Sequence, residues 1–496
     1  CLTRLGNIAT ITKIIDLYSA DIEFVITLGH FGDHVKQYLK LAHPERKFKF
    51  VDVVNYTGPD SSQVNSILTA ESYLQCPFIY HACDTICEEK ITFDSGDWIG
   101  VNKPKGSTDQ YRTVNIEAGN RFVSFNRKGA IGFSKVYIGV AAIKNFKLYF
   151  DIANSLVNEG PKNTSYSDCD IINLMREAFV VREFKVWHDI GNVSSLEKAR
   201  KVYKDDFEVL DKPKENIYFY KNSVIKFFYD ERLNAKRVER SKILSPIVPQ
   251  ITGATKNYFK YDFIEGDVLS SVVTPSLMKT FISWLDKNLW LKNENKVEIT
   301  KMCHDFYFKK TRSRINLYKE NSLHDKEYKR INNLELPSIN DLIECIDKDW
   351  LSKGIPTRIH GDLILDNVLY DGKDFTLIDW RQDFANCLET GDLYYDLAKL
   401  NHNLVFNHEL VNKNLFTIQY CHENENLVCD ILCSKNLLDC KNVLRQFIIK
   451  NELDIKKVEV LTSLIWINMA PLHEHPVSNF LFNFGKYNLY RSLMGE

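Results

Sequence analysis

His360-Gly361-Asp362, Asn367 and Ile378-Asp379-Trp380 are the residues of this chain whose types and spacing best suit chemistry. Asn367 stands five positions after Asp362, and Asp379 seventeen after it. An apolar run leads into each acidic residue, Ile355 to Ile359 and then Phe375 to Ile378. That pattern predicts two strands delivering carboxylates into loops at their ends. Phosphoryl transfer from a metal-bound nucleotide needs such a set. One Asp takes the proton of the attacking hydroxyl, while an Asn and a second Asp hold the Mg²⁺ that offsets charge on the phosphates. A tight polar turn would explain His-Gly-Asp alone; the Asn spacing and the Ile-Asp-Trp segment favour a kinase site.

The elements that would complete such a site lie upstream. Ile217 to Tyr220, a turn at Lys221-Asn222-Ser223 and Val224 to Phe228 predict a hairpin, and Arg232 to Leu244 a helix. Lys226 lies on the second strand and Glu239 in the helix; a strand Lys paired with a helix Glu is how kinases hold the α- and β-phosphates of ATP. Asn257 to Ile264 predicts a strand running into Glu265-Gly266, where backbone groups would meet adenine, and this places Tyr261 and Phe263 among the nucleotide-binding candidates.

In this order, residues 215–496 resemble the choline kinase and aminoglycoside phosphotransferase superfamily. The resemblance implies an α+β protein-kinase-like domain with an N-lobe at 215–265 and a C-lobe at 266–496 that carries acceptor-binding helices. It implies Asp362 as catalytic base, His360 orienting the loop, Asn367 and Asp379 on Mg²⁺, and Lys226 on the phosphates of ATP. Gly391 to Leu400 resembles the superfamily's following helix, with Asp392 as a cap or brace. Phe306 to Thr311 with Arg314, and Met469 to His473, resemble segments of phosphotransferase domains tied to bacterial surface polysaccharides. Trp466, Phe480, Phe482, Phe484 and Tyr487 could cage a quaternary ammonium such as choline. The helical spacing of Leu461 to Ile467 makes a helix core the better reading.

The first part alternates strand and helix: Ile8 to Tyr18 helical, Ile22 to Leu28 strand, Asp33 to Leu41 helix, Phe48 to Val54 strand, Ser61 to Leu74 helix, Pro77 to Ala82 strand. This predicts an α/β domain with a mostly parallel sheet and ligands at strand carboxyl ends, where Asp84 falls. Phe24 to His30, Phe78 to Asp84, Lys185 to Asn192 and Ser195 to Ala199 resemble the sugar-phosphate nucleotidyltransferases, whose fold is Rossmann-like; the resemblance covers residues 1–205. It implies Asp84 and Asp189 as metal ligands, Gly58, Ser61 and Gln63 in the base-contacting loop, and CTP or another NTP as substrate with a phosphate ester as acceptor. Cys1 to Gly6 resembles the stretch just after the family's Gly-rich triphosphate loop. Either that loop precedes Cys1 or the domain is no longer catalytic. Residues 206–214, charged and holding Pro213, are the expected linker.

Bulk properties narrow the classes. The 496 residues are too many for one core. A net charge of −1 gives no basic field for nucleic acid or an anionic membrane. No apolar run reaches the length of a membrane span. Twelve scattered cysteines without a Cys-x-x-Cys pair fit small thiols in a reducing, cytoplasmic setting. Cys421, His422, Cys429, Cys433 and Cys440 have spacings that fit helix faces better than a zinc site. Taken together, the sequence points to a bifunctional kinase and nucleotidyltransferase making an NDP-activated sugar, polyol or choline-like group for capsule or lipopolysaccharide. The rivals are a small-metabolite or antibiotic phosphotransferase with a non-catalytic first domain, and a nucleotide-binding scaffold without activity.

Overall fold

The computed structural model describes residues 1–58, 61–93, 96–103, 108–130, 132–133, 135–160, 164–175, 179–204, 214–292, 298–321 and 325–495. The expected linker 206–214 lies outside the described residues except for Lys214, as do Pro59 and Asp60 of the expected base-contacting loop. The chain divides into two compact units, one of Cys1–Tyr229 with Gly253–Lys260, the other of Asp230–Thr252 with Tyr261–Glu496.

In the first unit, Glu23–Leu28 and Lys47–Asp52 pair in parallel across the helix Gly32–Ala42. Val35, Tyr38, Leu39 and Ala42 recur at helical spacing and form the buried face of that helix. The stretch read as helical from Ile8 divides into a short strand, Ile8–Ala9, and the helix Thr10–Ile15. A six-stranded sheet follows in the order Phe78–His81, Val136–Ile143, Trp98–Asn102, Val180–Glu183, Arg121–Phe125, Val114–Glu117. Only Val180–Glu183 with Trp98–Asn102 is parallel; the other four neighbours are antiparallel. The expectation of a mostly parallel sheet is therefore corrected for this sheet. Among the described residues no α-helix separates its strands between Trp98 and Ile143, and parallel neighbours require a crossover of a dozen residues or more.

The hairpin Glu215–Tyr220 and Ser223–Phe228 turns through Lys221, which takes a left-handed φ of 52°. It shares a core with the helix Gly32–Ala42, built from Val35, Tyr38, Leu39, Tyr218, Ile225 and Tyr258. The Tyr38 and Tyr218 rings lie 4.9 Å apart. The Phe219 N–H donates to Asn7 O at 2.8 Å and the Tyr220 hydroxyl to Asp16 Oδ1 at 2.7 Å. Each such side chain withdrawn from water contributes about 1.5–3 kcal/mol before entropy is counted.

The second unit is mostly helical. Ile455–Met469 is buried nearly all round and packs against Val477–Met494 and Leu393–Val405. Trp466, Phe480 and Phe482 are core residues, with Trp466 and Phe484 rings 4.8 Å apart and Phe480 and Phe484 5.1 Å apart. Among the described residues no helix is long and apolar enough to cross a membrane, and no group of three or more His, Cys, Asp or Glu could hold a metal ion.

Burial gives the fold a pH dependence. In the first unit, His43 meets the Thr12 hydroxyl at 3.1 Å and His81 meets the Tyr18 hydroxyl at 2.7 Å. In the second, His360 is fully buried. Burial pushes all three imidazoles down to about 4. Between an unfolded value near 6.5 and that folded value, only the unfolded chain takes up the proton, so stability falls as pH falls. The expected loss is up to about 1 kcal/mol per pH unit for each histidine. Thermal unfolding should give a flat Tm from pH 7.5 to 7 and a falling one from 6.5 to 5. A Tm constant across that lower window would contradict the neutral buried imidazoles.

Candidate active sites

The His360 turn is built from backbone groups that water cannot reach. The N–H groups of His360 and Gly361 each donate to the Asp396 carboxylate at 2.8 Å. Asp396 lies on the helix Leu393–Val405 and is fully buried, and burial lifts its carboxyl to about 6. From the other side, the buried Arg240 guanidinium donates to the carbonyls of Ile359, His360, Arg381 and Leu388. Gly361 has φ 81°, and a Cβ there would lie 2.8 Å from Arg381 Cβ, so both its backbone and its surroundings demand glycine.

Within this frame His360 Nδ1 accepts the Asp362 N–H at 3.3 Å, which leaves Nε2 to donate to Ile378 O at 3.0 Å. The ring thereby ties the Asp362 loop to the segment entering Asp379. Asn367 reinforces the tie. Its side-chain Nδ2 donates to Asp362 O at 2.9 Å, and its backbone carbonyl accepts the Ile378 N–H at 2.9 Å. Asp379 takes a left-handed φ of 59°, uncommon for a residue with a side chain and the kind of strain that functional loops store. Its carboxylate lies 3.7 Å from Arg237. Asp362, Asn367 and Asp379 thus share one loop system, and an Asn–Asp pair beside an open face is a donor set that suits Mg²⁺ bound jointly with phosphates.

Asp362 keeps 42% of its side chain exposed, so a substrate can reach it. Burial of its surroundings raises its carboxyl, but the Lys399 ammonium, 2.6 Å from Oδ1, outweighs that and holds it well below the usual carboxylate range. Lys399 and Arg240 carry no role in the sequence reading. The one available signal is that Asp392, Asp396 and Lys399 recur at helical spacing on one helix. Asp392 is a brace: it caps the helix through the Tyr394 N–H, and accepts from the Ile355 N–H at 2.9 Å and the Tyr307 hydroxyl at 2.7 Å.

Lys226 is buried on its strand in the first unit. In the second unit, Glu239 pairs with Lys242 one turn along its own helix at 2.7 Å. Tyr261 is buried and Phe263 is 40% exposed.

A second acidic centre lies in the first unit. The strand Trp187–Asp189 pairs antiparallel with Thr85–Cys87, setting Asp189 opposite Thr85, and the Ile190 N–H donates to Asp84 O at 2.9 Å. A Cβ on Gly191 would sit 2.9 Å from Asp84 Oδ2 and 3.1 Å from Asp189 Oδ1, so both carboxylates face one small volume. Tyr111 donates to Asp189 Oδ2 at 3.0 Å. Burial, and next the Asp189 charge, raise the Asp84 carboxyl. Neither Asp makes an ion pair with a described residue, and two convergent carboxylates of like charge fit a divalent cation. Of the expected base-contacting loop, Gly58 has φ 95°, the Ser61 hydroxyl donates to Gly58 O at 2.9 Å, and Gln63, at the start of its helix, donates to the Tyr80 hydroxyl.

Residues 304–410 match the phosphotransferase enzyme family, and the chain therefore carries a phosphotransferase domain in its second part. Its first part matches nucleotidyltransferase structures. The CTP:phosphocholine cytidylyltransferase of Streptococcus pneumoniae is 12% identical over 41% of this chain and 89% of its own, with a TM-score of 0.35. HddC of Yersinia pseudotuberculosis is 18% identical over 41% and 95%, with a TM-score of 0.31. The inositol-1-phosphate CTP transferase of T. maritima is 13% identical over 38% and 79%, with a TM-score of 0.30. No curated protein matches the chain.

Gly191→Ala tests the acidic pair directly. The added methyl would stand against both carboxylates, so Mn²⁺ affinity at this centre should fall about tenfold or more while the circular dichroism spectrum is unchanged. An unaltered affinity by calorimetry would show that Asp84 and Asp189 do not share a cation.

Proposed function

We propose that the protein is a bifunctional enzyme whose second part phosphorylates a hydroxyl group of a small metabolite from ATP and whose first part activates a phosphate ester with CTP or another NTP. The observation that carries this reading is the exposed, ionised Asp362 set in a buried turn beside Asn367 and Asp379. In the kinase step the acceptor oxygen forms a bond to the γ-phosphorus as the bond to the bridging oxygen breaks and ADP leaves. Asp362 takes the hydroxyl proton, Lys399 keeps it ionised until then, and His360 fixes the loop. Asn367 and Asp379 would hold Mg²⁺, which when bound offsets charge on the phosphates. Lys226 would steady the α- and β-phosphates, with Glu239, Tyr261 and Phe263 around the nucleotide. In the transferase step a phosphate oxygen attacks the α-phosphorus and pyrophosphate leaves. Asp84 and Asp189 would hold the divalent ion there, and Gly58, Ser61 and Gln63 would face the base. A sugar, polyol or choline-like group destined for a surface polysaccharide suits both steps, since the product of one is the substrate of the other. The setting we propose is the cytoplasm, where both nucleotides are made.

Two substitutions separate the chemistries. Asp362→Asn should lower phosphoryl transfer about 10²- to 10⁴-fold and spare pyrophosphate release, and Asp84→Asn should do the reverse. Loss of both activities in either variant would rule out two independent sites. Lys399→Met addresses the ionisation of Asp362. With that cation gone, the largest influence holding the carboxyl down is lost and burial is less opposed, so the acid limb of kcat/KM should move to higher pH. A limb that stays in place would remove Lys399 from this role.

A further inference from the structure

Positive charge accumulates on one side of Asp362. Its Oδ2 is directed towards Asn367, 3.5 Å away, and its Oδ1 towards Lys399, 2.6 Å away. Tyr395, one helical turn before Lys399, belongs to an aromatic cluster with Phe306 and Phe384. Two more cations stand on that cluster: Lys310 Nζ is 4.4 Å and the Arg381 guanidinium 4.8 Å from the same Phe306 ring centroid. Lys310 also lies over Tyr395, at 5.8 Å, one helical turn before Lys399. Arg314 follows one turn after Lys310 on its helix.

Among the described residues, neither Lys310 nor Arg314 has a carboxylate within ion-pair distance. Their neighbours repel them. After burial, the charges that act most on Lys310 are Arg381, Lys399 and Arg314, all pushing its ammonium down, and Arg381 does the same to Arg314. Lys310, Arg314, Arg381 and Lys399 meet as like charges, which costs free energy in the empty protein, and a partly buried face raises that cost. The aromatic faces hold Lys310 and Arg381 in place and return part of it. An anionic ligand would return the rest. The nucleotide is the poorer candidate for that ligand, because Asn367, which would meet the phosphates through metal, lies on the Oδ2 side of Asp362.

We infer that the hydroxyl acceptor of the kinase site itself carries a negative charge, a phosphate or a carboxylate, held by Lys310, Arg314 and Arg381 beside Asp362. This rests on the kinase reading given above. The same charges disfavour a cationic acceptor such as choline or an aminoglycoside, since a like charge on this face would meet four ammonium and guanidinium groups at close range.

Matched probes test it on the full chain with Mg²⁺ and a non-hydrolysable ATP analogue: glucose, glucose 6-phosphate, gluconate and glucosamine, each titrated by calorimetry. An anionic probe should bind at least about tenfold more tightly than glucose or glucosamine, the size of one charge-assisted contact. Preference for glucose 6-phosphate over gluconate would assign a phosphorylated acceptor, and the opposite order a sugar acid. Lys310→Gln with Arg314→Gln should erase the preference, and Arg314→Glu, at a half-exposed position, should turn it towards glucosamine. The inference is overturned if no anionic probe binds better than its neutral and cationic counterparts, or if the double variant weakens binding of the ATP analogue instead. Loss of the kinase reading itself would look different: no ATP turnover, with any probe or with water, that depends on Asp362.

Discussion

The phosphotransferase domain depends on two buried charges of opposite sign that grip one turn of backbone. Asp396 takes the N–H groups of His360 and Gly361, and Arg240 takes the carbonyls of Ile359 and His360. A loop in the interior has no ladder to satisfy its peptide groups and no water either, so each would cost about 1–3 kcal/mol if left bare. A charged partner on each side removes that cost and fixes the orientation of the loop. The arrangement is unforgiving, because removing one charge strands the other; such losses run to about 3–5 kcal/mol. Arg240 also takes the Arg381 carbonyl, so the same guanidinium sets the segment just beyond Asp379. Asp362 and Asp379, seventeen positions apart in sequence, are thereby positioned from one anchor.

What was legible in the sequence follows from this. Asp362, Asn367 and Asp379 announce themselves because loop chemistry requires short fixed spacings. Their supports do not. Arg240 lies in a helix of mixed polarity, one residue after Glu239, and nothing in the sequence says which of the two turns inward; the structure buries Arg240 and leaves Glu239 to Lys242. Lys399 sits in a helix whose face is almost wholly buried, where periodicity marks burial but cannot tell a buried lysine from a surface one. The sheet of the first unit misled for a related reason. The strand–helix rhythm holds from Glu23 to His81, whereas the later strands are joined without helices and pair antiparallel. Trp466, Phe480 and Phe482 serve the core, the reading that the helical spacing of Leu461 to Ile467 favours.

Asp84 and Asp189 show how a distant pair becomes a site. Antiparallel pairing of Trp187–Asp189 with Thr85–Cys87 is a backbone matter, and it alone brings the two carboxylates to the same end. Gly191 then leaves the space between them open. Each Asp reads as a strand end in isolation; only the register joins them. The hairpin carrying Lys226 adds a constraint of a different kind. Its Tyr218 and Ile225 share a core with Tyr38 and Leu39, so the strand that bears Lys226 folds with the helix that follows Glu23–Leu28. The lysine's placement is therefore tied to the packing of the unit that carries Asp84 and Asp189.

The two acidic centres differ in how their charge is balanced, and the difference bears on what each can do. Asp362 has an internal counterion, Lys399, which keeps it ionised against the desolvation of its surroundings. A carboxylate so held can orient a hydroxyl and receive its proton late, when the developing phosphate bond has made that proton acidic. Its charge is already balanced without a metal ion. Among the described residues Asp84 and Asp189 have no ion-pair partner. Burial and next the Asp189 charge raise Asp84, and a proton or a cation between the two carboxylates would relieve their repulsion. Near neutral pH a divalent ion is the better answer, because it offsets both charges at once while a single proton offsets one. An internally balanced carboxylate suits proton transfer, and an unbalanced pair suits a cation. Both kinds occur among the described residues, and that contrast in local electrostatics is the physical ground for the separate chemistries proposed for them.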